Sequence, residues 1–259
     1  MKSLKTWLKK ETKARIGSLG YELRREYNPD SLKKFSRKRS AGKVLEFIGP
    51  SGIGKSTLLY AIRGELSKDW FLPHHAASLF HVAFKETDNS FDSHRQLLLN
   101  RVARIDRNQR DFWTLATSVR YGAQVASTDI AIRSDFPRGF VLDEGLFQIF
   151  SGDFSELDKG ALEKLCAGRS LVFLSAHRPE TIAERRMARN GRRHSGADRS
   201  REDVSGQSAR AEISLQHFSS FADKMRDLGA DVLTLFAEDE NALNLEKVLD
   251  FSKRICRSD

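Results

Sequence analysis

The stretch that decides the fold is Gly49-Pro50-Ser51-Gly52-Ile53-Gly54-Lys55-Ser56, followed by Thr57. It matches G-x-x-x-x-G-K-[ST] in full and lies between a short apolar, β-branched run, Val44–Ile48, and a helical pattern over Lys55 to about Leu66. Glycines at these places let the backbone curl so that successive N–H groups point at one anion. A helix opening at Lys55 adds the positive end of its dipole. The pattern therefore predicts a phosphate-binding loop. Lys55 is expected to reach the β- and γ-phosphates of a nucleotide, Ser56 to ligate Mg²⁺ and Thr57 to hold the α-phosphate, with Gly49, Pro50, Ser51, Gly52, Ile53 and Gly54 shaping the cradle.

Further along, GFVLDEGLFQ places Asp143 and Glu144 at the end of an apolar run. A carboxylate at a strand end beside a phosphate loop is suited to organise Mg²⁺. Asp143 is expected in that role. Glu144 is expected to polarise an attacking hydroxyl or water, or to order the metal's water shell.

Around these motifs strands and helices alternate. Expected elements are a second strand over Ser78–Phe84 and helices near Ser93–Ile105 and Asp111–Ile132. A strand ending at Phe140–Leu142, a helix over Glu156–Cys166 and a strand over Leu171–Ser175 follow. A helix over Glu180–Arg189, a mobile loop over Asn190–Gly206, a helix over Glu212–Leu228, a strand over Asp231–Leu235 and a closing helix over Asn241–Ile255 complete the chain. Such alternation implies an α/β protein, a parallel sheet flanked by helices.

Charge is unevenly placed. The chain of 259 residues has a formal net charge of +9, yet residues 1–43 alone hold 14 Lys and Arg against 4 Asp and Glu, so the remainder is close to neutral. Met1 to about Tyr27 has the spacing of an amphipathic basic helix, with Leu4, Trp7, Leu8, Ile16, Leu19 and Leu23 recurring among lysines and arginines. The chain thus divides into a basic helical extension, 1–43, and a domain, 44–259. Residues 1–40 are either a helix packed on that domain or a surface for anionic lipid. Nucleic acid is the less favoured partner, because no binding module is recognisable. Two cysteines, Cys166 and Cys256, give no disulfide framework. The absence of a long apolar run points to a cytoplasmic protein, peripheral to a membrane if the leader binds one.

Together the loop and the acidic pair resemble the P-loop NTPase superfamily over roughly Val44–Ile255. The resemblance implies ATP and Mg²⁺ as cofactors. Two branches compete. GPSGIGKSTLL suits ABC-type ATPases, as does His177 in LVFLSAHRPETI, a position where that family senses the γ-phosphate. That family also carries an LSGGQ-like signature just before the acidic pair, and ASTDIAIRSDFPRGFVLDEG has nothing comparable. The stretch AHRPETIAERRMARNGRRHSG instead looks like the arginine-bearing helix and lid of small-molecule kinases similar to nucleoside and nucleotide kinases. On that resemblance Arg185 and Arg189, four apart on one helical face, stabilise transferred charge, in a lid near 185–206. The expectation is a kinase acting on a small-molecule acceptor: a nucleotide, nucleoside or sugar. The alternative is an ATPase or nucleotide-dependent binding module. His94, Arg95 and Arg101 lie where such a fold meets its acceptor and stand as anion contacts or as a solvated helix face.

Overall fold

In a computed structural model, residues 32–77, 92–108, 112–133, 136–193 and 204–257 are described. Five strands, β1 (Val44–Ile48), β2 (Trp70–Phe71), β3 (Gly139–Leu142), β4 (Arg169–Ser175) and β5 (Asp231–Phe236), form one sheet in the order β2-β3-β1-β4-β5. Every pairing is parallel. The helices are α1 (Lys55–Leu66), α2 (Pro73–Ala77), α3 (Asp92–Asn108), α4 (Phe112–Ile132), α5 (Leu146–Phe150), α6 (Lys159–Cys166), α7 (Pro179–Arg193), α8 (Val204–Asp227) and α9 (Asn241–Ile255).

Side-chain alternation along the central strands makes two cores. Leu45 and Phe47 of β1, with Val172 and Leu174 of β4, face α1 and α9, where Leu59, Ile62, Val248 and Phe251 are buried. Ile48, with Leu171 and Phe173, faces the other side, against Phe147 and Phe150 of α5 and Phe218, Phe221 and Met225 of α8. Both faces of a parallel sheet are thereby covered, which explains why β1 is buried at every position.

One charged residue interrupts β1. Glu46 is fully buried and pairs with the equally buried Arg169 of β4, which also grips Asp129 of α4. His94 and the Arg133 guanidinium contact the same Asp129 carboxylate, at 2.8 and 3.0 Å. Burial opposes the charge on Asp129, but Arg169, His94 and Arg133 together hold its carboxyl far below the usual range. Burial pushes Glu46 up, against the pull of Arg169 and the amide of Gln148.

Several expected boundaries move. Ser78–Phe84 lies outside the described residues; among those described, the strand that follows β1 is the two-residue β2, which was not expected. The helix expected over Glu156–Cys166 begins only at Lys159, because Leu157 is extended and Asp158 caps the helix by accepting from the Ala161 amide at 2.8 Å. Helix α7 runs on to Arg193, into the expected loop, and α8 begins at Val204, ahead of the expected Glu212. Ala211, Phe218, Ala222 and Met225 bury one face of α8 at helical spacing. The leader helix expected over Met1–Tyr27 lies outside the described residues, as does most of the span 190–206. Leu32 is fully buried against Phe71, Ala76 and Phe136.

Candidate nucleotide and acceptor site

Consecutive strands leave β1 in opposite directions, β3 and β2 to one side and β4 and β5 to the other. The crevice at the carboxyl end of β1 is the topological switch point, where open α/β sheets bind ligands. The loop Gly49–Gly54 sits there. Gly49, Gly52 and Gly54 take φ values of 139°, 86° and 113°, a region costly for residues with a Cβ. At Gly49 a Cβ would also lie 2.4 Å from the Leu174 carbonyl oxygen. Gly54 precedes α1 without any side-chain cap, so the first amides of α1 have no side-chain partner at the N-cap.

Lys55 is buried. Its Nζ donates to the Gly49 and Pro50 carbonyls at 2.7 and 3.2 Å, folded back over the loop it follows. The exposed Ser56 hydroxyl lies 3.5 Å from Asp143 Oδ2. Partial burial, and then the neighbouring Glu144 charge, raise the Asp143 carboxyl above its ordinary value, against Lys55 and Ser56. Glu144 is exposed and accepts a 2.8 Å hydrogen bond from the Tyr121 hydroxyl. Burial and the Glu144 contact push that phenol well above its ordinary value.

These groups line two cavities that share Glu144. The first, about 560 Å³, runs along Ser51–Leu58 past Gln148 and Arg185 to Phe236, Ala237, Asn241 and Asn244. The second, about 440 Å³, lies between α2, α4 and the segment Leu142–Leu146, with Asp143 and Glu144 at its edge.

Of the expected residues, Ser51, Gly52, Ile53, Gly54, Lys55, Ser56, Thr57, Glu144 and Arg185 line the first cavity, and Asp143 and Glu144 the second. Gly49 and Pro50, the first residues of the loop, line neither cavity. Arg185 donates to the Ile53 carbonyl at 2.6 Å and the Ala237 carbonyl at 3.0 Å, and Arg186 donates to the Ser51 carbonyl at 2.7 Å. Helix α7 therefore lies against the phosphate loop. The side chain of Arg189 is outside the described residues. His177 stacks on Phe236 at 4.0 Å between ring centres. His94 is buried on Asp129, and Arg101 is turned to the Ile149 carbonyl at 2.7 Å and to Asp153 at 3.4 Å. Neither of these two is a solvated side chain or a waiting anion contact.

Three supporting residues carry no signal in the sequence. Gln148 accepts from the Gly49 amide at 2.9 Å, while its own amide donates to Glu46 at 2.8 Å. The buried ion network is thus tied to the first residue of the loop. At Gly145 a Cβ would lie 2.6 Å from the Glu46 carboxyl carbon, so a larger residue there would push on the same buried ion network. Glu238, just after β5, accepts from the His177 and Arg178 amides at 3.1 and 3.3 Å and from the Thr181 hydroxyl at 2.9 Å. It anchors the start of α7.

Loop, strand order and strand-end carboxylate together have the arrangement of the P-loop NTPase fold. A family model described as ABC transporter matches residues 32–112, less than half of the chain, and stops before Asp143. Among solved structures the chain is similar to a shikimate kinase from Acinetobacter baumannii in complex with shikimate, at 14% identity. That match covers 88% of this chain and 98% of the other, with a TM-score of 0.39. It is also similar to a kinase candidate from Chloroflexus aurantiacus J-10-fl at 16% identity, covering 82% and 97%, with a TM-score of 0.41. Likenesses this loose say nothing of the reaction. No curated protein matches the chain.

The oxygen donors Ser56 and Asp143, facing each other beside the loop, fit Mg²⁺, which favours a carboxylate or two plus phosphate oxygens over an all-protein cage. Among the described residues no group of three His, Cys, Asp or Glu is placed to hold a metal by itself. No helix among them is long and apolar enough to cross a membrane.

Proposed function

We propose that the protein is a Mg²⁺-dependent kinase that transfers the γ-phosphoryl group of ATP to a hydroxyl of a small molecule. The observation that carries this reading is the pair of cavities meeting at Glu144. Hydrolysis needs only a nucleotide and water; a second cavity opening on the same carboxylate provides room for an acceptor.

The triphosphate lies along Ser51–Thr57. Lys55 exchanges its bonds to Gly49 and Pro50 for phosphate oxygens, and the first amides of α1 face the same anion. Ser56 and Asp143 hold the metal, which when bound supplies charge neutralisation at the phosphates. Phe236, Ala237 and Asn241 flank the far end of the cavity, where the base lies. Arg185, beside Ile53, and Arg189, one turn on in α7, neutralise charge on the moving group. Glu144, held by Tyr121, orients the attacking hydroxyl and takes its proton.

The test is ADP release by the full chain with Mg²⁺-ATP, with and without pooled sugars, nucleosides and nucleotides. Acceptor-dependent turnover supports the kinase. Turnover that rises only with vesicles, nucleic acid or protein supports the alternative, an ATPase or nucleotide-dependent binding module.

A separate proposal concerns the leader. At the edge of the sheet opposite the phosphate loop, Arg37, Lys38, Arg39, Lys68, Lys253 and Arg257 surround a cavity of about 460 Å³, with Glu65 and Asp69 the acids beside them. This basic face, together with the basic composition of residues 1–31, suits an anionic lipid surface. Sedimentation with anionic vesicles should fall when residues 1–31 are deleted, and an unchanged fraction would refute the proposal.

A further inference from the structure

We infer that the second cavity takes a neutral, hydroxyl-rich acceptor, a sugar or nucleoside, and discriminates against acceptors that carry phosphate or carboxylate. The inference rests on the kinase reading above and narrows its acceptor class.

The lining carries the argument. Among the described residues it contains no lysine and no arginine. Its ionisable acids are Asp129 at the base and Asp143 and Glu144 at the edge. The guanidinium groups nearest to it are committed elsewhere. Arg133 and Arg169 are bound to Asp129, and Arg101 is bound to Ile149 and Asp153. A phosphate or carboxylate brought into this space would leave water beside Glu144 and, among the described residues, meet no lysine or arginine in the lining.

What the walls offer suits hydroxyls. Thr128, in the lining, spends its own proton on the Gln124 carbonyl at 2.9 Å, which leaves its oxygen acceptor capacity only. Tyr121 likewise donates to Glu144 and presents an oxygen that accepts. His74 also lines the cavity, its ring centre 4.0 Å from that of His75. Val125, Leu142 and Leu146 supply apolar surface for the face of a sugar ring or a base. In the transfer, the acceptor oxygen forms a bond to the γ-phosphorus. The bond from that phosphorus to the β–γ bridging oxygen breaks, and ADP leaves with its electron pair. The hydroxyl proton passes to Glu144.

The experiment measures ADP release by the full chain with Mg²⁺-ATP in three arms: neutral sugars, neutral nucleosides, and the matching sugar phosphates, uronic acids and nucleoside monophosphates. The expected result is that one neutral arm raises turnover about tenfold or more above the acceptor-free rate while its charged counterparts do not. Which neutral arm responds identifies the source of the hydroxyl. In the variant His74→Arg, a cation placed at the cavity wall should bring the charged arm up relative to the neutral one. Turnover with charged acceptors that equals or exceeds the neutral arm in the wild type overturns the inference and leaves the kinase reading standing. Mg²⁺-ATP binding without acceptor-dependent turnover in any arm overturns both.

Discussion

Replacing Arg169 by methionine removes the cation between two buried carboxylates while keeping most of the side-chain volume. Arg169, Glu46 and Asp129 are at most 1% exposed along their side chains, so neither acid can turn to water. Breaking a buried pair in this way costs about 3–5 kcal/mol, because an uncompensated charge stays behind. Here two acids lose a partner, and the guanidinium also leaves the Phe147 ring, 4.6 Å away, so the upper end applies. For a domain of this size the loss lowers Tm by roughly 10–20 °C. The pH response has a definite sign. In the wild type the lowered Asp129 pKa contributes stability above its ordinary value, lost as pH falls through the lowered one. Without Arg169, the Glu46 pKa, already raised by burial, rises further above its unfolded value, and Asp129, still held by His94 and Arg133, is lowered less. The folded variant then binds more protons than the unfolded chain, and its deficit against the wild type shrinks as pH falls from about 7 towards 5. The triple variant Glu46→Gln, Asp129→Asn, Arg169→Met removes the charges together and should recover most of the loss. Thermal and urea unfolding across pH measure all of this. A single variant within about 1 kcal/mol of the wild type at neutral pH would refute the account of the network.

Gly49→Ala should abolish Mg²⁺-ATP binding, through its left-handed φ and the Leu174 carbonyl in its way, with a modest fall in Tm; normal nucleotide affinity would show that the loop rearranges freely. Tyr121→Phe frees Glu144 and should lower kcat about tenfold with the KM for ATP unchanged, since a hydrogen bond to a charged group is lost. Glu238→Gln should flatten the acid limb of stability. The Glu238 carboxyl is held below its ordinary value by the His177 amide, Thr181 and the Arg178 amide, which outweigh its partial burial. Its contribution is therefore present above about pH 4.5 and lost as pH falls further. Comparing Tm against pH for the two proteins measures it.

The sequence made the phosphate loop and its flanks legible because strong signals coincide there: a buried strand, three glycines, a lysine and a helix. Asp143 and Glu144 were legible for the same reason, as acids ending an apolar run. The second strand was not. Among the described residues that strand is Trp70–Phe71, too short to show a period. The start of α8 was hidden because Val204–Arg210 is polar and contains Gly206, while the burial of Ala211 and Phe218 that secures the helix lies downstream. Gln148 and Glu238 act on backbone amides far away in the chain, a relation that local composition does not encode. His94 and Arg101 have the residue types of anion contacts, and only tertiary packing shows their side chains already engaged, on Asp129 and Asp153.

The central claim is that the Gly49–Ser56 loop holds a nucleotide triphosphate through Lys55. Titration calorimetry of Mg²⁺-ATP into the wild type and Lys55→Ala, with circular dichroism to verify folding, tests it most directly. The account predicts binding by the wild type and a loss of about 100-fold or more in the variant, as expected when a charge-assisted contact to phosphate is removed. Equal affinities in two folded proteins would contradict it.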